Sequence, residues 1–136
     1  MVQINTLFVV HTTSRSMPDA RTDANFELQI VRPGDDPDFK RLFPDLPHNE
    51  REAGRTDCYR FDVSKDNIDS RMTMYMEMVD TNDGWLPSSL FVIGIVPDGT
   101  GRLLGTHPRW PNTSWFDRND PPYLSRQRIS DLGKGP

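Results

Sequence analysis

The chain has 136 residues, the usual size of a single domain, and 35% of them are hydrophobic. Its formal net charge of −4 argues against a general binder of nucleic acid, which needs a basic surface. The one cysteine, Cys58, excludes an internal disulfide, and three dispersed histidines exclude a zinc cluster of the Cys/His type.

No apolar run approaches the roughly 20 residues that a membrane-spanning helix needs, so we predict that the chain is not transmembrane. The N-terminus has no basic region ahead of an apolar stretch, which is the pattern of a secretory signal. From this pattern we expect a cytoplasmic location.

Four segments in the first eighty residues have the apolar pattern of strands. Residues 4–12 are rich in β-branched and aromatic side chains, whereas residues 24–32 and 55–63 alternate between apolar and polar. Residues 70–80 place four methionines on one face with a period of two: Met72, Met74, Met76 and Met78. We interpret this stripe as core, with an adaptable binding face as the alternative.

The rest of the chain predicts one short helix, two further strands and a tail. Phe39, Leu42, Phe43 and Leu46 follow helical spacing, so a short helical insertion is expected over 37–46. Residues 88–96 and 102–107 read as strands around a turn, and residues 110–116 as an edge strand. The prediction is an antiparallel β-sandwich of about eight strands over residues 1–117, with a C-terminal tail over 118–136 that wraps the domain or is loose.

Three segments together resemble the PLAT (LH2) domain, the β-sandwich attached to lipoxygenases and lipases that also occurs alone. They are Thr12-Thr13 followed by Ala20-Arg21-Thr22-Asp23-Ala24-Asn25, then Gly54–Phe61, and then Val79-Asp80-Thr81-Asn82-Asp83-Gly84-Trp85. The resemblance spans residues 4 to about 117. It implies a sandwich of two four-stranded sheets that binds lipid surfaces or protein partners and does not catalyse. Arg21 departs from the family, which has glycine there.

The resemblance also implies a calcium site, because some members bind calcium in the loops at one end. It places the loop after the first strand and the loop at 80–84 at the same end. Ca²⁺ takes about six to eight oxygen ligands, and these loops supply Asp19, Thr22, Asp23, Asp80, Asn82 and Asp83. The alternative is that they are turn residues that bind loop backbone, with Arg21 paired to Asp80.

Two pairs of residues are candidates for contact with a membrane or a partner. Trp85 and Leu86 follow the acidic turn, and Leu42 and Phe43 lie in the long loop. Exposed tryptophan and leucine on loops insert at membrane interfaces. The alternative is that Trp85 is buried between the sheets, where the family generally has it.

No catalytic motif is present: the sequence has no Gly-x-Ser-x-Gly, no His-Glu-x-x-His and no glycine-rich phosphate loop. Cys58 has no neighbouring histidine and is interpreted as structural, and a carboxylate pair of the glycosidase type is a spatial feature that sequence does not give. Trp110, Trp115, Phe116 and Tyr123 resemble the aromatic platforms of carbohydrate-binding sandwiches; alternatively, they fasten the tail to the sheets.

The sequence therefore predicts a non-catalytic binding module for a lipid surface or protein partner, assisted by calcium through its end loops, and not an enzyme. The alternatives are a structural or regulatory protein that forms oligomers through an outer sheet face or the tail, and a carbohydrate-binding sandwich.

Overall fold

The computed structural model describes residues 2–32, 34, 38–46, 50–80, 83–118 and 121–131. Within these ranges it is all β, without helix, and has ten strands. They are β1 (Gln3–Ile4), β2 (Thr6–Thr13), β3 (Phe26–Val31), β4 (Phe39–Leu42), β5 (Thr56–Asp62), β6 (Ile68–Asp69), β7 (Thr73–Met78), β8 (Pro87–Ile95), β9 (Gly101–His107) and β10 (Arg126–Arg128).

The strands form two four-stranded antiparallel sheets and one two-stranded sheet. The first sheet has the order β5-β2-β8-β9, and the second has the order β10-β7-β3-β4. β1 and β6 pair separately. The predicted antiparallel β-sandwich is thus confirmed, and each strand predicted from alternation coincides within a few residues with an observed one.

The core lies between the inner faces of the two four-stranded sheets. β2, β5 and β7 alternate buried and exposed or half-buried side chains along their length, as strands with one covered face must. The methionine stripe is confirmed as core, since Met74, Met76 and Met78 are fully buried and Met72 packs partly buried against them. The flexible thioether side chain fills the space between the sheets that β-branched residues fill elsewhere.

The predicted helical insertion over 37–46 is wrong for the residues that the structure describes, 38–46. Residues Phe39–Leu42 form β4, which pairs with β3 from Ile30↔Phe39 to Glu27↔Leu42. Phe39 and Phe43 are both buried although the backbone is not helical, because the chain turns inward after the strand as Phe43 N donates to Phe26 O (2.9 Å). Backbone pairing of β4 with β3 outweighs the helical spacing, and Pro44, which cannot continue a helix, follows directly after Phe43.

The C-terminal segment belongs partly to the sandwich. Residues 126–128, within the predicted tail, form β10 and pair with β7 at the edge of the second sheet. The predicted edge strand at 110–116 is absent there, and Phe116 makes isolated bridges to Trp85 and Leu124 instead. None of the described residues lies in a helix long and apolar enough to cross a membrane.

Candidate functional site at one end of the sandwich

Three loops meet at one end of the sandwich, and we call this end, formed by the described residues 14–25, 83–86, 115–118 and 121–124, the loop end. Trp85 and Phe116 exchange backbone hydrogen bonds of 2.9 and 2.8 Å, and Leu86 N donates to Ala20 O (3.1 Å). Asp117 N donates to Leu124 O (3.2 Å), which holds the C-terminal loop beside them. The loops are therefore fixed to one another through backbone groups.

Carboxylates join the first loop to the loop that precedes Trp85. Asp23 N donates to Asp83 Oδ2 (2.9 Å), and the Thr22 hydroxyl donates to Asp83 O (2.5 Å). Asn25 donates to both oxygens of Asp80, from its backbone N (2.9 Å) and its Nδ2 (2.7 Å). The two loops thus lie together, as predicted, and their carboxylates act as acceptors for backbone N–H groups.

The predicted calcium residues are brought only partly together. Asp19, Thr22, Asp23 and Asp83 line one cavity of about 230 Å³, which Arg21 also lines. Among the described residues, no group of three or more His, Cys, Asp or Glu side chains converges to hold a metal ion. As arranged, the described carboxylates do not surround one point as calcium ligands must, and Asp80 and Asp83 accept hydrogen bonds from the loops. Asn82 lies outside the described residues.

Arg21 does not take the partner that the sequence suggested. Its Nη1 lies 3.6 Å from Glu52 Oε2 at the exposed surface, whereas Arg118 donates from Nη1 to the backbone oxygen of Asp80. Arg21 nevertheless lines the cavity with the aspartates, so it keeps a positive charge where a cation would have to enter.

The predicted contact residues are corrected in three cases out of four. Trp85, Leu86 and Phe43 are buried, and only Leu42 is exposed, at 58%. Trp85 donates from its indole Nε1 to Thr13 Oγ1 (2.9 Å) and packs against Phe26 with ring centroids 5.2 Å apart. Trp85 is therefore a core residue, because both its ring and its N–H group find partners between the sheets.

A second cavity at the loop end is lined by both aromatic and acidic side chains. It measures about 480 Å³ and is bordered by Met17, Asp19, Asp83, Trp115, Asp117 and Tyr123. The Trp115 and Tyr123 ring centroids are 6.4 Å apart and the rings are inclined at 50°. Leu124, next in the chain, is 62% exposed, the largest exposure among the large apolar side chains described.

From the sequence, Trp115 and Tyr123 could be recognised as part of an aromatic segment, but their position beside Asp83 could not be predicted. These residues meet only because the backbone bridges of Phe116 to Trp85 and Leu124 bring distant loops together. The available signal was the richness of the 110–123 segment in tryptophan, phenylalanine and tyrosine.

The outer face of the first sheet is apolar at its centre, and we call it the outer apolar face. Strand register places Phe8 beside Ile93, Ile93 beside Leu103, and Val10 beside Phe91. These side chains are half-buried or, for Leu103, 54% exposed. Cys58 lies next to Val10, and partial burial raises the pKa of its thiol, which keeps it protonated.

A buried polar cluster lies beneath the loop end. Arg51 has a φ of 56° and its guanidinium carbon lies 4.6 Å from the Phe26 ring centroid and 5.2 Å from that of Tyr59. His11 is fully buried, and neither ring nitrogen has a hydrogen-bond partner among the described residues. Burial, then the charge of Arg51, lowers the pKa of His11 to about 3.

The fold is similar to two solved clostridial toxins. Clostridium perfringens alpha-toxin from avian strain SWCP matches with a TM-score of 0.71 and 20% identity, over 94% of this chain and 32% of that one. Alpha toxin from Clostridium absonum matches with a TM-score of 0.66 and 18% identity, over 95% and 32%. The chain thus spans about a third of their length. No protein-family model and no curated protein sequence matches it.

At these identities the likeness concerns the fold. It supports a β-sandwich of the PLAT-like kind, in agreement with the resemblance found in the sequence.

Proposed function

We propose that the chain is a non-catalytic binding module that docks onto a lipid surface through its loop end. One observation carries the proposal: Leu124 stands 62% exposed beside the half-exposed rings of Trp115 and Tyr123, on loops fixed to a rigid sandwich. Leucine and interfacial aromatic side chains are the groups that enter the boundary between headgroups and acyl chains.

The charge of the cavity beside Trp115 and Tyr123 suggests which lipids are preferred. Aspartates dominate the exposed part of the cavity wall, at positions 19, 83 and 117. Anionic membranes attract basic surfaces and repel acidic ones within about a Debye length. Docking is therefore expected on zwitterionic lipid in preference to anionic lipid, and apolar insertion supplies its free energy.

The family resemblance and the fold likeness both support this function. Domains of the PLAT family bind lipid surfaces or protein partners, which is the role that the resemblance implies. The likeness to the two toxins supports a fold of that kind but, at 20% and 18% identity, adds no ligand.

Co-sedimentation with vesicles tests the proposal. The protein is mixed with phosphatidylcholine vesicles or with phosphatidylglycerol vesicles, and the pelleted fraction is measured. We expect pelleting with the first, and a loss of at least threefold in Leu124→Ser. Leu103→Ser is the matched control, because Leu103 is 54% exposed but lies on the outer apolar face. No pelleting on either vesicle, or equal loss in both variants, would overturn the proposal.

Calcium assistance is a separate proposal at the same end. It requires the carboxylates of Asp19, Asp23 and Asp83 to move closer than they stand, since they line one cavity without converging. A higher pelleted fraction in calcium than in EDTA would support it, and equal fractions would remove it while leaving lipid docking in place.

Self-association through the outer apolar face is a second candidate function, favoured by the apolar rows that cross the first sheet. Four strands at ~4.8 Å spacing and seven residues at ~3.4 Å rise make a face of roughly 19 by 24 Å. Two such faces bury an area near the ~1,000 Å² that a specific interface needs. Threonine and serine at the end of the face, Thr12, Thr56 and Ser89, provide a polar rim.

A further inference from the structure

We propose that the cavity between Trp115, Tyr123 and Asp117 binds a quaternary ammonium group, the cationic part of a choline headgroup. This inference rests on the proposed docking of the loop end on lipid and names the chemical group recognised there. The cavity volume of about 480 Å³ lies within the range of ~300–1,000 Å³ typical of small-ligand sites.

The aromatic geometry suits a cation. A cation is attracted to a ring face when it lies within about 6 Å of the ring centroid, with tryptophan the best of the aromatic side chains. The Trp115 and Tyr123 centroids are 6.4 Å apart, the rings are inclined at 50°, and both residues line the cavity. A group in the cavity can therefore lie within that distance of both centroids, and both residues are half-buried.

The charge of the cavity selects a cation over a neutral ligand. Three aspartates border it, Asp19, Asp83 and Asp117, and no basic side chain is among the described residues that line it. A sugar would use the same rings and would donate hydroxyl hydrogen bonds to the aspartates, but only a cation gains from their negative charge as well. A trimethylammonium group is weakly hydrated and apolar at its surface, so it also gains from contact with Met17 and Pro18.

Gly84 lies where the acidic side and the aromatic side of the cavity meet. A Cβ on Gly84 would lie 2.9 Å from Asp117 Oδ2 and 3.6 Å from Trp115 Cε3, so carboxylate and indole border the same point. The backbone bonds between Trp85 and Phe116 fix this arrangement on both sides. Carboxylate and indole therefore stand together before a ligand enters, and such preorganisation lowers the cost of binding.

Titration with tetramethylammonium chloride and with choline chloride tests the inference, followed by the chemical shifts of the Trp115 indole N–H and neighbouring amides. Sodium chloride at equal ionic strength is the blank. Binding in the millimolar range is expected, with at least a tenfold loss in Trp115→Leu and in Tyr123→Leu. Tyr123→Phe should retain binding because it keeps the ring. Asp117→Asn should weaken binding about threefold to tenfold.

Two further variants separate a site from a general effect. Gly84→Ala puts a methyl group against Asp117 Oδ2 and should reduce binding while the domain stays folded. Tyr75→Leu removes a half-exposed aromatic ring on the second sheet, away from the cavity, and should leave binding unchanged. Equal shifts with sodium, calcium or methyl glucoside, or loss of binding in Tyr75→Leu, would overturn the inference.

The outcome also distinguishes this inference from the proposed function. Pelleting on phosphatidylcholine vesicles without any response to soluble choline or tetramethylammonium would overturn the cation site and leave lipid docking standing. A response to the soluble cations without pelleting would support the site and show that its source is a free cation and not a lipid surface.

Discussion

Trp85 and Thr13 are joined in the core by a hydrogen bond of 2.9 Å from the indole Nε1 to the threonine Oγ1. Both residues are fully buried, and this bond ties the last residue of β2 to the segment just before β8 at the loop end. Trp85, which the sequence suggested as a membrane contact, therefore stabilises the loops around the candidate site from within the core.

Thr13→Val tests this relationship, because it keeps the shape and removes the acceptor. An unpaired buried N–H group costs about 1–3 kcal/mol, so the free energy of unfolding in urea should fall by that amount. Trp85→Phe should also destabilise the fold, yet the folded variant should pellet with phosphatidylcholine vesicles as the wild type does. A folded Trp85→Phe variant that no longer pellets with the vesicles would show that Trp85 itself contacts lipid.

Because His11 is buried, the stability of the fold should depend on pH in a specific way. Its folded pKa is about 3, whereas an unfolded histidine has a pKa near 6.5, so the unfolded state binds the extra proton first. Stability is therefore highest above about pH 6.5 and falls as the pH drops towards 3. Arg51 opposes and Asp57 favours protonation of the ring, and desolvation is the largest effect.

His11→Phe should flatten this part of the pH profile, because it removes the titrating ring and its unpartnered nitrogens but keeps an aromatic ring beside Trp85 and Tyr59. Urea unfolding at pH 7, 5 and 4 checks the result. His107→Phe is the control for a half-buried histidine. An unchanged slope between pH 6.5 and 4 in His11→Phe would contradict the assignment.

Calcium should change the melting temperature of the protein only if it binds to the folded state. Ligand bound to the folded state stabilises it by mass action, by about 2.7 kcal/mol at a hundredfold excess over Kd. The calcium proposal, in which the carboxylates of Asp19, Asp23 and Asp83 draw together, therefore predicts a rise in melting temperature with millimolar Ca²⁺ relative to EDTA, and an unchanged melting temperature would remove it. A rise that Asp83→Asn abolishes would establish the site that the sequence predicts.

If the outer apolar face is an interface between two copies of the chain, the protein should be a dimer in solution. Under the self-association candidate, light scattering in EDTA gives a dimer, and Ile93→Lys, at the centre of the face, converts it to a monomer. Lys40→Glu, on the exposed edge strand of the opposite sheet, is the control for a change of charge. A monomer at high concentration would remove this candidate.

Much of the fold could be predicted from the sequence, because the alternation of apolar and polar residues along a strand shows directly which side chains are buried. The period of two at Met74, Met76 and Met78 gave a correct strand and a correct core face, and the alternation of Tyr59 and Phe61 did the same for β5. β4 was missed because the spacing of Phe39 and Phe43 mimics a helix, whereas pairing with β3 and a turn inward bury both rings.

The candidate site could be predicted only in part. The meeting of the Thr22-Asp23 loop with Asp83 followed from the family resemblance, and the hydrogen bonds confirm that the loops lie together. The cavity of Trp115 and Tyr123 depends on contacts between loops far apart in the chain, which no local pattern records. The outer apolar face could be predicted in part from the sequence, since residues 90–96 are apolar on both faces of the strand apart from one glycine.

Tryptophan fluorescence with brominated phosphatidylcholine vesicles tests the central claim most directly. Trp85 and Trp110 are buried at 0% and 8% exposure, so Trp115 is the tryptophan that lipid can reach. Docking through the loop end predicts that brominated lipid quenches part of the emission, that Trp115→Phe loses this quenching, and that Trp110→Phe keeps it. Wild-type emission unchanged at saturating vesicles, or equal quenching in Trp115→Phe, would contradict the account.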